Sequence, residues 1–302
     1  MILVHPSITS AKPNLTRFNF VRTLVGIRSH LEDWPSPIHE PGGCQDVLKT
    51  GDKLLEMIKE KPVGLIVPLV EKVVLACGLA VDGSGSRVRG NSFKTAIICT
   101  DRLSQRRALE KTGLNPEYLI YRDRGILDEL KTFNFPVVLK KPASARSEGV
   151  RIVYDREDLE NLWKSDFDRL VTRQMNRLYQ IGFRPDYDFL IEEFIEGEAW
   201  EVDGVSREKA AFVFRPLKQI WVPGFITEYQ ALTPPPGLID AAIKAVEACG
   251  IKWSGWCVEL KGSANNWKVI EVNARLGEDD KNFDNLISPD CYPVEKLCEV
   301  LS

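Results

Sequence analysis

Glu259, Glu271 and Asn273, with Arg275 close behind, are the residue types that hold a hard divalent cation together with the phosphate oxygens bound to it. They lie in residues 257–275, which read as two short strands around an Asn265-Asn266 turn. Strand side chains alternate faces, so Glu271 and Asn273 point the same way, and a closed hairpin brings Glu259 to them. Two carboxylates and an amide oxygen then surround one point, with a guanidinium just beyond. Taken alone, the hairpin fits either a cation site or a solvated polar face.

Two upstream segments bear on that choice. In residues 135–150 a buried-type strand over 137–139 runs into Lys140 and Lys141, then a loop of small residues over 143–149, then a strand over 150–154. Small residues let backbone N–H groups approach a polyphosphate, and a lysine at the strand end adds a point charge. The Gly-x-x-x-x-Gly-Lys-Ser/Thr loop does not occur in the sequence. An ordinary strand-turn-strand with surface lysines fits the same residues. In residues 189–204 an apolar strand leads into Glu192-Glu193, then Phe194-Ile195, then Gly197, with a second strand over 199–205. Exposed backbone between two strands can read a purine edge, and a nearby carboxylate can hold ribose hydroxyls. A hairpin with a solvated acidic face is the alternative.

In order and spacing, the lysine, the acidic hinge and Glu…Glu-x-Asn-x-Arg resemble the ATP-grasp superfamily of the carboxylate–amine ligase type, over roughly residues 95–280 with weaker traces back to residue 60. The resemblance implies an α/β (α+β) fold: an N-terminal α/β domain, a small strand-rich lid and a C-terminal nucleotide- and metal-binding domain. By the same resemblance Lys141, just before Pro142, contacts nucleotide phosphates, and 144–149, with Ser144, Ser147 and Gly149, forms the loop over them. Glu192, Glu193, Phe194 and Ile195 match the adenine hinge, with backbone atoms of Glu193 and Ile195 as the contacts. Glu259, Glu271 and Asn273 match the magnesium ligands, manganese being the other ion of this kind. Arg275 matches the arginine that steadies the transferred phosphoryl group or the substrate carboxylate. Asp101-Arg102 and Gly113-x-x-Pro116 look like that family's Asp-Lys helix start and its exit, with Arg102 in place of lysine. Val67-Pro68 and Glu71 resemble the strand-end and helix-start pattern of its preceding domain.

Two departures stand out. Many relatives carry a ribose-binding glutamate where this chain has Ala199, so Glu198 and Glu201 become candidates, Glu201 sharing the strand face of Ala199. After Arg275, where relatives have a Gly-Gly pair, residues 278–280 are acidic.

The elements that must position these residues fall into three parts: 1–95, with a helix over 51–61 and a strand over 64–68; 96–194, with a helix over 101–112, the lid strands and a helix over 156–164 capped by Asp155; and 195–302, with a helix over 238–249 stopped by Gly250. The stretch 166–188 either packs on the lid or covers the site. Residues 221–236 read as a loop whose aromatics and prolines suit a cover over a substrate, and Arg215 and Lys218 upstream are candidates for an anionic substrate group.

A chain of 302 residues with 44% hydrophobic and 27% charged residues is that of an ordinary soluble protein. A net charge of −3 gives no nucleic-acid or membrane footprint. The first six residues are too short and uncharged for a signal peptide. Seven cysteines, an odd number without a Cys-x-x-Cys pair, point to free thiols in a reducing cytoplasm. Three histidines, all within the first 39 residues, argue against a zinc site or a Ser-His-Asp triad in the later domains. The activity implied by the resemblance is ATP-dependent joining of a small carboxylate and an amine through an acyl phosphate, releasing ADP and phosphate, with a homodimer as the common assembly of relatives. A kinase of the same fold and a non-catalytic nucleotide-binding protein are the rivals.

Overall fold

The computed structural model describes residues 2–4, 46–60, 63–122, 134–144, 149–164, 173–214, 216–222, 225–277 and 300–301. Strand β1 (Ile2–Val4) pairs in parallel with β2 (Ile66–Pro68). Helix α1 (Val47–Glu60) turns Leu54 and Ile58 toward Val73, Cys77 and Ala80, the last two on helix α2 (Val74–Gly83). A single 3-10 turn, Glu71–Val73, joins β2 to α2. Ser92 caps α3 (Phe93–Thr100) by accepting from the Thr95 N–H, and Asp101 caps α4 (Arg102–Leu109) by accepting from the Ser104 N–H. The helix expected over 101–112 is thus α4 plus a 3-10 turn, Glu110–Thr112, stopped by Gly113 at φ 74°. Among the described residues no helix is long and apolar enough to cross a membrane.

A small antiparallel sheet follows, in the order β3 (Tyr118–Tyr121), β6 (Phe189–Glu193), β4 (Val137–Lys140), β5 (Val150–Val153). Its outer face carries Val137, Leu139, Val153, Phe189 and Ile191, which pack with Leu159 of α5 (Arg156–Lys164). Asp155 Oδ1 accepts from the Asp158 N–H, the cap expected for α5. Helix α6 (Arg173–Gln180) neither joins this sheet nor covers the cleft. Its Met175 and Leu178 enter the main core, and Gln180 accepts from the Val47 N–H at the start of α1.

The larger antiparallel sheet has β7 (Glu198–Arg207), β8 (Ala210–Val213), β9 (Leu217–Val222), β10 (Phe225–Gln230), β11 (Ser254–Ser263) and β12 (Asn266–Asn273), in the order β10-β9-β7-β11-β12 with β8 on β7. The expected loop over 221–236 is therefore strand at its start, where β9 ends at Val222, and again over β10 to Gln230. Trp221, Ile226 and Tyr229 are aromatic or β-branched and suit a pleated surface, and Pro234, Pro235 and Pro236 follow β10. One face of the sheet buries Trp200, Val202, Trp256, Val258, Leu260 and Val269 against Ala242, Ala245 and Val246 of α7 (Leu238–Cys249). The other face looks into a cleft.

Strand β12 changes parity part-way. The register slips between Glu259 and Leu260, whose partners are Glu271 and Val269, so Ile270 is the extra residue of a bulge. Trp267 and Val269 then face the core, as do Val272 and Ala274, while Glu271 and Asn273 turn to the cleft. Close packing is equally strict at Gly204 of β7, where an added Cβ meets the Trp256 ring at 2.1 Å and the Phe212 carbonyl oxygen at 2.5 Å. Gly204→Ala should cost about 3 kcal/mol by overpacking, measured as a lower urea midpoint with an unchanged slope.

Candidate active site

Side chains on the cleft face of the larger sheet form rows across β7, β11 and β12. Ala199 stands opposite Lys261; Glu201 opposite Glu259, and Glu259 opposite Glu271; Asp203 opposite Cys257, and Cys257 opposite Asn273. Successive rows are two residues, or about 7 Å, apart. The middle row places three glutamates side by side on neighbouring strands. Glu259, Glu271, Asn273 and Arg275 line one cavity of about 180 Å³ with Glu201 and Glu71.

Among the described residues, two arginines stand near this row. Arg102 Nη1 lies 3.8 Å from Glu271 Oε2 and donates through Nη2 to Ser144 Oγ at 2.7 Å. Arg275 is engaged by Glu71 Oε2 at 3.4 Å and by the Leu276 carbonyl at 2.8 Å. Burial, with Glu271 and Glu201 alongside, pushes the Glu259 carboxyl up to about 8. Burial likewise lifts Asp203 to about 6, although the Gly277 N–H bond opposes it. Hard oxygen donors crowded at such a point suit magnesium far better than a soft metal. Glu259, Glu271 and Asn273, which line the cavity together, carry the oxygen donors that could hold such an ion.

The opposite wall of the cleft is the inner face of the small sheet. Lys140 and Ser144 line the cavity there, and Arg102 reaches in from α4. Lys140 Nζ sits 2.6 Å from Glu192 Oε2. Arg106 of α4 grips the same carboxylate from the other side, Nε to Oε1 at 2.8 Å and Nη2 to Oε2 at 3.0 Å. Burial alone would raise Glu192, but Arg106 and Lys140 together outweigh it and hold the carboxyl down at about 2. Burial pushes Lys140 down to about 8, because its attraction to Glu192 is countered by repulsion from Arg106 and Arg102.

Several expected residues take other places. Lys141, expected at the phosphates from its position before Pro142, follows Val137 and Leu139 to the outer face, its Nζ 4.2 Å over the Phe189 ring. Strand alternation puts Lys140 in the cleft instead. Glu198 also turns away from the cleft; it accepts from Trp200 Nε1 at 3.0 Å and pairs with Lys218. Lys218 stands opposite Trp200, on the core side of the sheet, and so cannot face a substrate in the cavity. Glu192 is sealed in its ion pairs. The Glu193 N–H donates to the Glu117 carbonyl and its Oε1 accepts from the Glu117 N–H. Phe194 lies under Lys261 Nζ at 4.3 Å, and Ile195 is half-buried beside it. Gly149 adopts φ 69° and its carbonyl accepts from the Lys141 N–H. Ser147, Arg215 and the acidic 278–280 lie outside the described residues. Sequence reasoning missed Cys257 as a cleft group, and Arg106 and Asp203 as buried charges behind the cleft walls. Alternation from Glu259 and Glu201 carries the signal for Cys257 and Asp203, and nothing local carries it for Arg106.

Two antiparallel sheets closing on a cleft of carboxylates, lysine and arginine define a nucleotide-grasping architecture. Residues 133–282 match the model of the ATP-grasp domain, and the chain belongs to the ATP-grasp superfamily. It is 21% identical over 249 residues to the carbamoyl phosphate synthase large chain of Clostridium acetobutylicum, covering 74% of this chain and 21% of that one. The chain thus spans about a fifth of the length of that curated relative. Among solved structures it resembles D-alanine–D-alanine ligase from Bacillus anthracis complexed with ATP, with a TM-score of 0.60, 17% identity, and coverage of 83% of this chain and 81% of that one. It also resembles L-amino acid ligase from Bacillus licheniformis, with a TM-score of 0.58, 21% identity, and coverage of 78% and 54%.

Proposed function

We propose that this protein is an ATP-dependent, ADP-forming carboxylate–amine ligase acting on small acids. The single observation that carries the reading is the opposed pair Glu259 and Glu271, with Asn273 beside them, facing Lys140 and Arg102 across one cleft. The named relatives, two of them amino-acid ligases, support it. The rows give the nucleotide a direction. Adenine meets the hinge backbone around Ile195, ribose lies over the row of Ala199 and Lys261, and the phosphates reach the glutamate row. Glu201 stands too far along β7 for the ribose under this reading.

Bound magnesium would supply charge neutralisation to the phosphates. The residues of the chain do the remainder. Lys140 and Arg102 attract the phosphate oxygens from the lid side, and Ser144 holds Arg102 in place. A substrate carboxylate oxygen attacks the γ-phosphorus, the bond to the β–γ bridging oxygen breaks, and ADP leaves. Arg275, fixed by Glu71, offsets charge on the acyl phosphate. The amine nitrogen then attacks the acyl carbon, the carbon–oxygen bond to phosphate breaks, and the amine's proton leaves with phosphate. Closing the small sheet over the site excludes water, which would hydrolyse the acyl phosphate.

The test is ADP release with Mg-ATP and pools of small acids, with hydroxylamine as the amine. Turnover with hydroxamate formation is the expected result, and manganese should replace magnesium. A stable phosphorylated acceptor formed without hydroxylamine would make the protein a kinase. Nucleotide binding without turnover in any pool would make it a binding protein.

A further inference from the structure

The cleft is charged along its glutamate row and apolar at one side. Trp221 of β9, with Ile226 and Tyr229 of β10, lines the same cavity as Glu259 and Glu271. The three stand at the far edge of the larger sheet. Trp221 is opposite Ile226, Gln219 is opposite Tyr229, and Gln219 is also opposite Ala199 of β7. Strands β9 and β10 are thus two and three strands from β11, about 10 and 14 Å at about 4.8 Å per strand. Trp221 is 45% exposed, and of the described large apolar side chains that are exposed it is the one lining the cavity.

We infer that Trp221, Ile226 and Tyr229 form the pocket for the side chain of the acid substrate, and that this acid carries an aromatic or branched apolar group. The inference rests on the ligase reading above and narrows its substrate class. The polar ends of the wall are turned back onto the protein. Trp221 Nε1, the only donor of the indole, donates to Gln219 Oε1 at 3.1 Å. Gln219 Nε2 in turn donates to Glu201 Oε2 at 3.3 Å, and the Tyr229 hydroxyl donates to the same oxygen at 3.4 Å. What the two rings offer a ligand is therefore their faces and edges, and Ile226 offers hydrocarbon alone. An indole already held by its N–H loses little freedom when a ligand settles on it. An apolar group laid there removes apolar surface of both partners from water. A charged group would shed its water without gaining a counter-ion from these three side chains.

Position separates this occupant from the nucleotide. Ile270 of β12 and Val150 of β5 line the cavity from the two sheets and give the flat base its apolar contacts. Ile270 stands at the β12 end of the larger sheet and the aromatic wall at the β10 end, with β11 and β7 between them. A carboxylate aligned on the γ-phosphate at Glu259 and Glu271 extends the rest of its molecule across β7 toward that wall. An acid the size of acetate would leave the wall bare.

The test compares kcat/KM for hydroxamate formation among acids whose side chains are aromatic or branched apolar, alanine-sized, or charged, each offered with and without an α-amino group. The aromatic or branched apolar acids should exceed the others by at least about tenfold. Trp221→Ala should lower kcat/KM for the preferred acid by about 30-fold, mostly through KM, with KM for ATP within about twofold. Trp221→Phe should keep most of the preference. Ile226→Asp, which sets a charge in the wall, should abolish it, and serves if Trp221→Ala does not fold. Equal use of all three kinds of acid, or an unchanged preference in the variants, would overturn the inference and leave the ligase reading standing. A raised KM for ATP with an unchanged KM for the acid would overturn it as well, by giving the wall to the nucleotide. If no acid supports turnover, the unfolding temperature with magnesium and a non-hydrolysable ATP analogue decides. A rise of about 3 °C with apolar acids alone, lost in Trp221→Ala, would keep the pocket and remove the ligase reading, and no rise would remove both.

Discussion

Glu271→Gln should lower ATP-dependent turnover by about 10³-fold, a loss of the size seen when one charged group is taken from a phosphoryl-transfer site. Glutamine keeps the length and one oxygen of the side chain but removes its charge. That charge is half of the opposed pair with Glu259 and the nearest anion to Arg102 Nη1, at 3.8 Å. The protein itself should not suffer. After burial, Glu271 is the strongest influence pushing Glu259 up, so the substitution relieves repulsion within the row. A pH experiment separates the two effects. In the metal-free protein Glu259 titrates at about 8, above its unfolded value of 4.5, so its contribution to stability is complete below 4.5 and is lost as pH rises through 8. That decline should be shallower in Glu271→Gln, measured by chemical denaturation at several pH values in chelator. Turnover within tenfold of the unaltered protein would remove Glu271 from the site.

Much of this cleft was legible from strand alternation and turn chemistry. The Asn265-Asn266 turn closes as expected, with Asn265 at φ 62°, and it sets Glu259 opposite Glu271. Helix α7 runs over Leu238–Cys249 and ends at Gly250. Misplacements arose where a resemblance was followed over the period of two. Proximity to Pro142 favoured Lys141, although Val137 and Leu139 already fixed the outer face to odd positions. Lys218 fails for the same reason, being opposite the buried Trp200. The bulge at Ile270 was not legible at all. Strict alternation would send Glu271 to the same side as Trp267 and Val269, and only the register with β11 reveals the extra residue. Nor could local sequence show that α4 lies along β12, because those contacts join residues more than 160 positions apart.

That long-range contact makes Arg106 the position with the largest expected effect on the protein as a whole. Its Nη1 donates to the Val269 carbonyl at 2.9 Å and its Nη2 to the Ile270 carbonyl at 3.0 Å, the two residues at the bulge that turns Glu271 and Asn273 into the cleft. Gln105 beside it exchanges both amide bonds with the Val272 backbone, so α4 covers the exposed edge of β12. The remaining Arg106 donors hold Glu192 of the small sheet. One fully buried guanidinium thus ties a helix, the strand bearing the cation ligands and the hinge strand of the lid. Arg106→Met should cost about 3–5 kcal/mol, because it leaves Glu192 with Lys140 as its one cation and strips partners from two carbonyls. Glu192, held at about 2, contributes stability that is present above its unfolded 4.5 and lost as pH falls through 2. In Arg106→Met the acid-unfolding midpoint should therefore move to higher pH. The double variant Arg106→Met/Glu192→Leu replaces the whole Arg106–Glu192 pair by apolar side chains but leaves buried Lys140 without its carboxylate, so it should recover only part of the stability. It should not recover turnover, because the bulge carbonyls still lack their donor and the metal ligands lose their fixed aim. Full activity in the double variant would show that β12 holds Glu271 and Asn273 without help from α4.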